Sequence, residues 1–325
     1  MQRLVFMFIF LGFAGVVTAE EATEPLIHPT FARVPYGGAP QQFVDVYQAR
    51  STGPAPVMVY IHGGGWWGGT AGGIIRTDVF GKHNKRGEGL RRILASGVSL
   101  VAVEYRLVPQ ARKAGITPPV EWPLRDAAQA VQFIRHKASE WNMDKDRLGL
   151  TGSSAGGCSS LWLAMHPDMA DPQSSDPVAR ESSRPACVGI VNAQSSLDPQ
   201  QLQQWFKSPR YGGHAFGFVK REGGREVSDM AACLAARDDI LPWIREYSPI
   251  EHASGDDPPV FLNYSAAPQP AGQPQLDSVH GAAHGMKLKE TLDALGVEAT
   301  VSYPGTAGWN DEAHIDFLLR NLQKQ

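Results

Sequence analysis

Long apolar runs, cysteines and clustered charge are all scarce in this chain. Its longest apolar stretch, Leu4 to about Val17, falls short of the roughly 18 to 20 residues needed to cross a bilayer. Only three cysteines occur, Cys158, Cys187 and Cys233. That odd number without metal-type spacing allows at most one internal disulfide and argues against a cysteine metal centre. Charged residues make up 19% of the 325, the formal net charge is -3 and no basic cluster is seen. Neither nucleic acid nor an anionic membrane surface is therefore an expected partner, and small neutral ligands fit better. No internal repeat is visible.

The N-terminus has its own pattern. Arg3 precedes the apolar run, which closes on Val17-Thr18-Ala19 before two glutamates. This is the plan of a secretory signal peptide, residues 1–19, cleaved after Ala19. No cysteine follows to receive lipid. The expected mature chain is secreted or periplasmic, with no stable membrane insertion.

Beyond it, short Val-, Ile- and Leu-rich runs alternate with helical patterns, as crossover units around a parallel sheet require. Expected strands are Val44–Ala49, Val57–His62, Leu100–Arg106, Leu148–Gly152, Val188–Ala193, Val260–Tyr264 and Ala299–Tyr303. Several are apolar almost throughout, so helices should cover both faces of the sheet. Three- and four-residue apolar spacing predicts helices from about Pro123 to Trp141, Ala155 to His166, His284 to Leu295 and Asp311 to Leu322. The expected organisation is one α/β domain over 20–325 with a cap-like insertion at about 197–250. The aromatics Trp205, Phe206, Tyr211, Phe216, Phe218, Trp243 and Tyr247 in that insertion either line a pocket or seal a small core.

One hexapeptide, Thr151 to Gly156, reads TGSSAG and fits G-x-S-x-G around Ser154. Alone it describes any tight turn; between an expected strand and an expected helix it is the setting of an exposed nucleophile. Upstream, the strand ending at Ile61 runs into His62-Gly63-Gly64-Gly65-Trp66. Together with Glu104-Tyr105-Arg106-Leu107-Val108-Pro109, Trp122-Pro123 and Ser248-Pro249-Ile250, these motifs resemble the hormone-sensitive-lipase-like and related bacterial carboxylesterases of the α/β-hydrolase superfamily. The likeness runs from about residue 40 onward. It implies an α/β-hydrolase fold with a mostly parallel central sheet, Ser154 as nucleophile, and an oxyanion hole from the N–H groups of Ala155 and of Gly63 or Gly64. His62 then belongs to the loop scaffold, and no metal or organic cofactor is implied.

The acid and histidine break the family pattern. Ser265-Ala266-Ala267-Pro268 stands where an aspartate usually follows the late strand, and Pro304 to Asn310 contains no histidine where one usually follows the last strand. By the chain order serine, acid, histidine the choices become Asp277 and His314. The alternatives are a loop aspartate at Asp277 and a packed or capping histidine at His314. His280 and His284, close to Asp277, could instead supply the base, although neither follows the last strand. The expected function is a secreted serine carboxylesterase acting on a small or medium ester, with an acetylated carbohydrate as one candidate. The competing reading is a non-catalytic binding protein of the same fold with a degraded acid–histidine pair.

Overall fold

The apolar runs of the chain become the strands of one twisted sheet. The computed structural model describes residues 27–75, 80, 87–270, 273 and 276–324; the expected signal peptide lies outside them. In chain order the elements are β1 (Phe31–Pro35), β2 (Phe43–Tyr47), β3 (Ala55–Ile61), α1 (Glu88–Ala95), β4 (Ser99–Glu104), α2 (Val108–Lys113), α3 (Glu121–Lys137), β5 (Met143–Ser153), α4 (Ala155–Met165) and β6 (Cys187–Val191). There follow α5 (Pro199–Trp205), β7 (Val219–Glu222), β8 (Arg225–Ser228), α6 (Met230–Ala235), α7 (Leu241–Tyr247), β9 (Val260–Asn263), α8 (Ala283–Ala294), β10 (Ala299–Ser302) and α9 (Ala313–Leu322).

Among the described residues, eight strands form the main sheet in the order β1-β2-β4-β3-β5-β6-β9-β10. β1 and β2 pair antiparallel at one edge, and every pairing from β4 to β10 is parallel. Alternation along β3 sends Val57, Val59 and Ile61 to the face covered by α3, α4 and α8, and Met58 and Tyr60 to the face covered by α1 and α9. All seven β3 residues are buried, which explains a strand with no polar alternation. This is the mostly parallel, doubly covered sheet expected of the α/β-hydrolase fold. Among the described residues no helix is long and apolar enough to cross a membrane.

The seven expected strands are all present, and the four expected helices match α3, α4, α8 and α9 to within a few residues. β1 was not anticipated, because it is an exposed edge strand with no apolar face to reveal it. The β7-β8 hairpin is likewise polar and mostly exposed. The three thiols are free and buried.

Residues 197–250 carry α5 to α7 and the hairpin between core strands β6 and β9. Buried Asp198 anchors the segment by accepting two hydrogen bonds from Arg237, at 2.9 and 2.7 Å. Its aromatics divide: Tyr211, Phe216 and Tyr247 join the main core, whereas Phe206 packs with Leu202 and Ala283 in a small separate cluster.

The Tyr105-Arg106 motif has a structural purpose. Arg106 Nε donates to Asp126 Oδ2 at 2.8 Å and Nη2 to Oδ1 at 2.6 Å, while the guanidinium lies 3.9 Å over the Trp122 ring. Asp126 is buried and also accepts from Gln42 at 2.9 Å, so β2, the end of β4 and α3 meet at one carboxylate. Removing the guanidinium strands that charge in the interior. Arg106→Ala is expected to destabilise the protein by about 3 kcal/mol in denaturant unfolding, and a loss below about 0.5 kcal/mol would show the pair to be dispensable.

Candidate active site

The turn from β5 into α4 forces Ser154 into an unusual backbone. Its φ of 53° and ψ of −123° lie outside the regions that L-residues favour, a conformation costing roughly 1–3 kcal/mol. The two motif glycines explain how the turn closes. A Cβ on Gly152 would stand 2.5 Å from the Gly156 carbonyl carbon, and one on Gly156 would stand 2.0 Å from the Ile61 oxygen. Only hydrogen fits at either place, so α4 starts in contact with the end of β3. Ser154 N donates to Val191 O at 2.9 Å, fixing the turn to the neighbouring strand. The side chain stays partly exposed, and the first N–H groups of α4, beginning with Ala155, have no partner within the helix.

The glycine loop that follows β3 lies against this turn. A Cβ on Gly63 would meet Ser153 O at 2.6 Å and Ser154 Cβ at 3.6 Å, so the loop backbone runs beside the serine. Gly64, at φ 110°, makes the reversal that Trp67 N and Gly68 N close on its carbonyl. His62 is held beneath: it is fully buried, its Nδ1 bonds Gly63 O at 2.8 Å, and its ring stacks on Tyr105 at 4.0 Å. Tyr105 in turn donates to His62 O at 2.6 Å. Burial pulls the His62 imidazole down to about 4, so it is neutral near pH 7. These contacts fit the scaffold role expected of it. From the insertion, His214 bonds Gly65 O at 3.0 Å and its ring lies 4.9 Å from Trp67. Residues 197–250 thus brace the glycine loop through His214.

The imidazole at the serine belongs to His280. Its Nε2 lies 3.0 Å from Ser154 Oγ, within hydrogen-bonding reach. His280 stands in the loop between β9 and α8, which is tied down at three points. Gln194 donates to Val279 O, Arg210 N donates to Ser278 Oγ at 3.1 Å, and His284 Nε2 lies 3.3 Å from Ser278 O. His284 is fully buried against Phe206, and burial draws it down to about 4. Its place is structural.

His314, the choice by chain order, is not the histidine that meets Ser154. It is fully buried near the start of α9, with Nδ1 3.4 Å from Asn263 Nδ2 at the end of β9. The reason lies in the preceding turn. Thr306 Oγ1 bonds Tyr303 O at 2.8 Å and Trp309 Nε1 bonds Tyr264 O at 3.1 Å, so residues 304–310 close on themselves and on β9. The chain then enters α9 with its apolar stripe, including Ile315 and Leu318, against the sheet. Asp277 does sit beside the site, but its Oδ1 caps the backbone N–H groups of Val279 and His280 at 2.9 and 3.0 Å. Its charge still acts on His280: burial lowers the imidazole below its ordinary 6.5, and Asp277 partly offsets this. The sequence did hold a signal for His280, since the turn after β10 has no histidine while the loop that holds Asp277 has His280.

Residues 44–269, more than half of the chain, match the family described as BD-FAE. The chain belongs to that family. Among curated proteins it is 28% identical to Esterase LipC of Mycobacterium tuberculosis over 163 residues, which cover 49% of this chain and 35% of that protein. The match thus spans about a third of that relative's length. A truncated form of a carbohydrate esterase from gut microbiota aligns with a TM-score of 0.63 at 16% identity, over 90% of this chain and 96% of that one. An acetyl ester-xyloside bifunctional hydrolase from Caldicellulosiruptor lactoaceticus aligns at 0.59 and 18% identity, over 89% and 91%. At such identities these structures share the fold. His280 lies beyond the stretch that BD-FAE covers.

The electrostatics give a test independent of turnover. Following the His280 ring by NMR through a pH titration should give a midpoint below 6.5. In Asp277→Asn, which keeps the capping oxygen and removes the charge, the midpoint should fall further, because a nearby anion favours the imidazolium. A rise in that variant would contradict the arrangement.

Proposed function

We propose that this BD-FAE member is a serine carboxylesterase in which Ser154 is the nucleophile and His280 the general base. The observation that carries this reading is the 3.0 Å approach of His280 Nε2 to a partly exposed serine held in a strained turn. To accept the serine proton, His280 carries its own proton on Nδ1. Ser154 Oγ attacks the ester carbonyl as its proton passes to Nε2, and the carbonyl oxygen develops negative charge. The N–H groups of Ala155 and of Gly63 or Gly64 receive that oxyanion, each donor contributing about 2.7–4 kcal/mol in the transition state. His280 then protonates the departing alcohol, activates water, and the acyl-enzyme is hydrolysed. Asp277 contributes charge and loop shape near the imidazole.

The substrate class in this reading is a small ester, with a short acyl group on a carbohydrate as the leading candidate. Supporting it are the neutral, weakly charged composition and the names of the two structural neighbours. Export through residues 1–19 accords with a substrate met outside the cytoplasm. A binding protein of the same fold is favoured only by Asp277, whose hydrogen bonds go to backbone rather than to an imidazole.

Hydrolysis of p-nitrophenyl acetate separates these readings. Wild type should turn the ester over; Ser154→Ala should lose on the order of 10⁴-fold or more in kcat, and His280→Ala on the order of 10³-fold or more. His314→Gln, assayed at a temperature where it remains folded, should stay within about fivefold of wild type. An inactive wild type would favour the binding protein. A fully active His280→Ala would remove the base assignment.

A further inference from the structure

A second cluster of chemistry-bearing side chains lies at the other end of α4. His166 caps the C-terminus of that helix, Glu246 comes from α7, and His252 ends the turn Pro249–His252. From Ser154 to His166 the helix advances about 18 Å, at 1.5 Å per residue, so this cluster is separate from the serine site. One ligand atom from each of the three residues falls within 4.8 Å of the other two. All three are only partly buried, which leaves solvent access.

We propose that His166, Glu246 and His252 bind a divalent transition-metal ion of the zinc type, with water completing the shell. Two histidines and one carboxylate are a donor set that zinc accepts, with an open fourth position. The separation of His166 Nε2 from Glu246 Oε1, 3.4 Å, matches the edge of a tetrahedron with ligands about 2.0–2.1 Å from its centre. Each imidazole is already oriented by a backbone carbonyl. His166 Nδ1 bonds Pro167 O at 2.7 Å and His252 Nε2 bonds Glu246 O at 2.7 Å. A ring that donates through one nitrogen presents a lone pair at the other, and such backbone support is the usual companion of a metal-bound histidine.

One group opposes the ion. Arg125 Nη2 donates to the same Glu246 Oε1 at 2.7 Å, so a metal must share or displace that guanidinium. The sequence pattern did not reveal this site: Glu246 and His252 lie six residues apart, but His166 comes from a distant segment. Bound metal would pin the inserted segment to the end of α4, and its effect should be on stability rather than turnover.

The test is calorimetric titration of ZnCl₂ into the full chain after chelator treatment. Wild type should bind one equivalent, and His166→Ala and His252→Ala should each weaken it by at least about 100-fold, above what loss of a supporting partner costs. Arg125→Gln should bind more tightly than wild type, a gain that damage to the fold cannot produce. Thermal unfolding with and without ZnCl₂ should show a metal-dependent rise in Tm in wild type that both histidine variants lose. No stoichiometric binding by wild type, binding undiminished in both histidine variants, or weaker binding by Arg125→Gln would each overturn the assignment.

Discussion

The backbone at Ser154 is the constraint on which the rest of the structure turns. A residue at φ 53° and ψ −123° does not hold itself there; the surrounding packing must over-determine it. The close approach of Gly152 to Gly156, and of Gly156 to the end of β3, leaves no room for the turn to relax. β3 is itself fully buried between β4 and β5, so it cannot yield. The parallel sheet thus acts as an anvil, and the serine hydroxyl is what it lifts toward solvent. The glycine loop leaves the same edge of β3, which is why the two arrive side by side.

The histidine at the serine comes from an unexpected connection. In this chain the loop after β9 carries both Asp277 and His280, and the turn after β10 carries neither. Because β9 lies next to β6, which neighbours β5, a loop from the C-terminal end of β9 can reach the serine as well as one from β10. The inserted segment helps to hold it there, through Arg210 on Ser278 and Phe206 on His284. Among the aromatics of residues 197–250, Phe206 packs on His284 beside the His280 loop and Tyr211 on Trp66 of the glycine loop, while Phe216 and Tyr247 join the main core.

How much of this was legible follows from which forces wrote the sequence. Strands buried on both faces must be apolar, and Val57–Ile61 and Leu100–Val103 announce themselves. Edge strand β1 and hairpin β7-β8 bury little, so nothing in their composition distinguishes them from loops. Ser154 and the triple glycine were legible because close backbone packing admits so few side chains. The histidine beside Ser154 left a weaker signal, since an imidazole can be delivered from any loop at the right sheet edge and leaves no periodic trace. His314 resembled a base by order along the chain, yet its position at the start of an apolar helix stripe was already the mark of a packed residue.

The most direct measurement is the rate at which a fluorophosphonate modifies Ser154, followed by mass spectrometry in wild type and His280→Ala. A hydroxyl activated by His280 should give a single adduct on Ser154, slowed on the order of 10²-fold or more when the imidazole is removed. An unmodified Ser154 in wild type, or equal rates in the two proteins, would contradict the pairing.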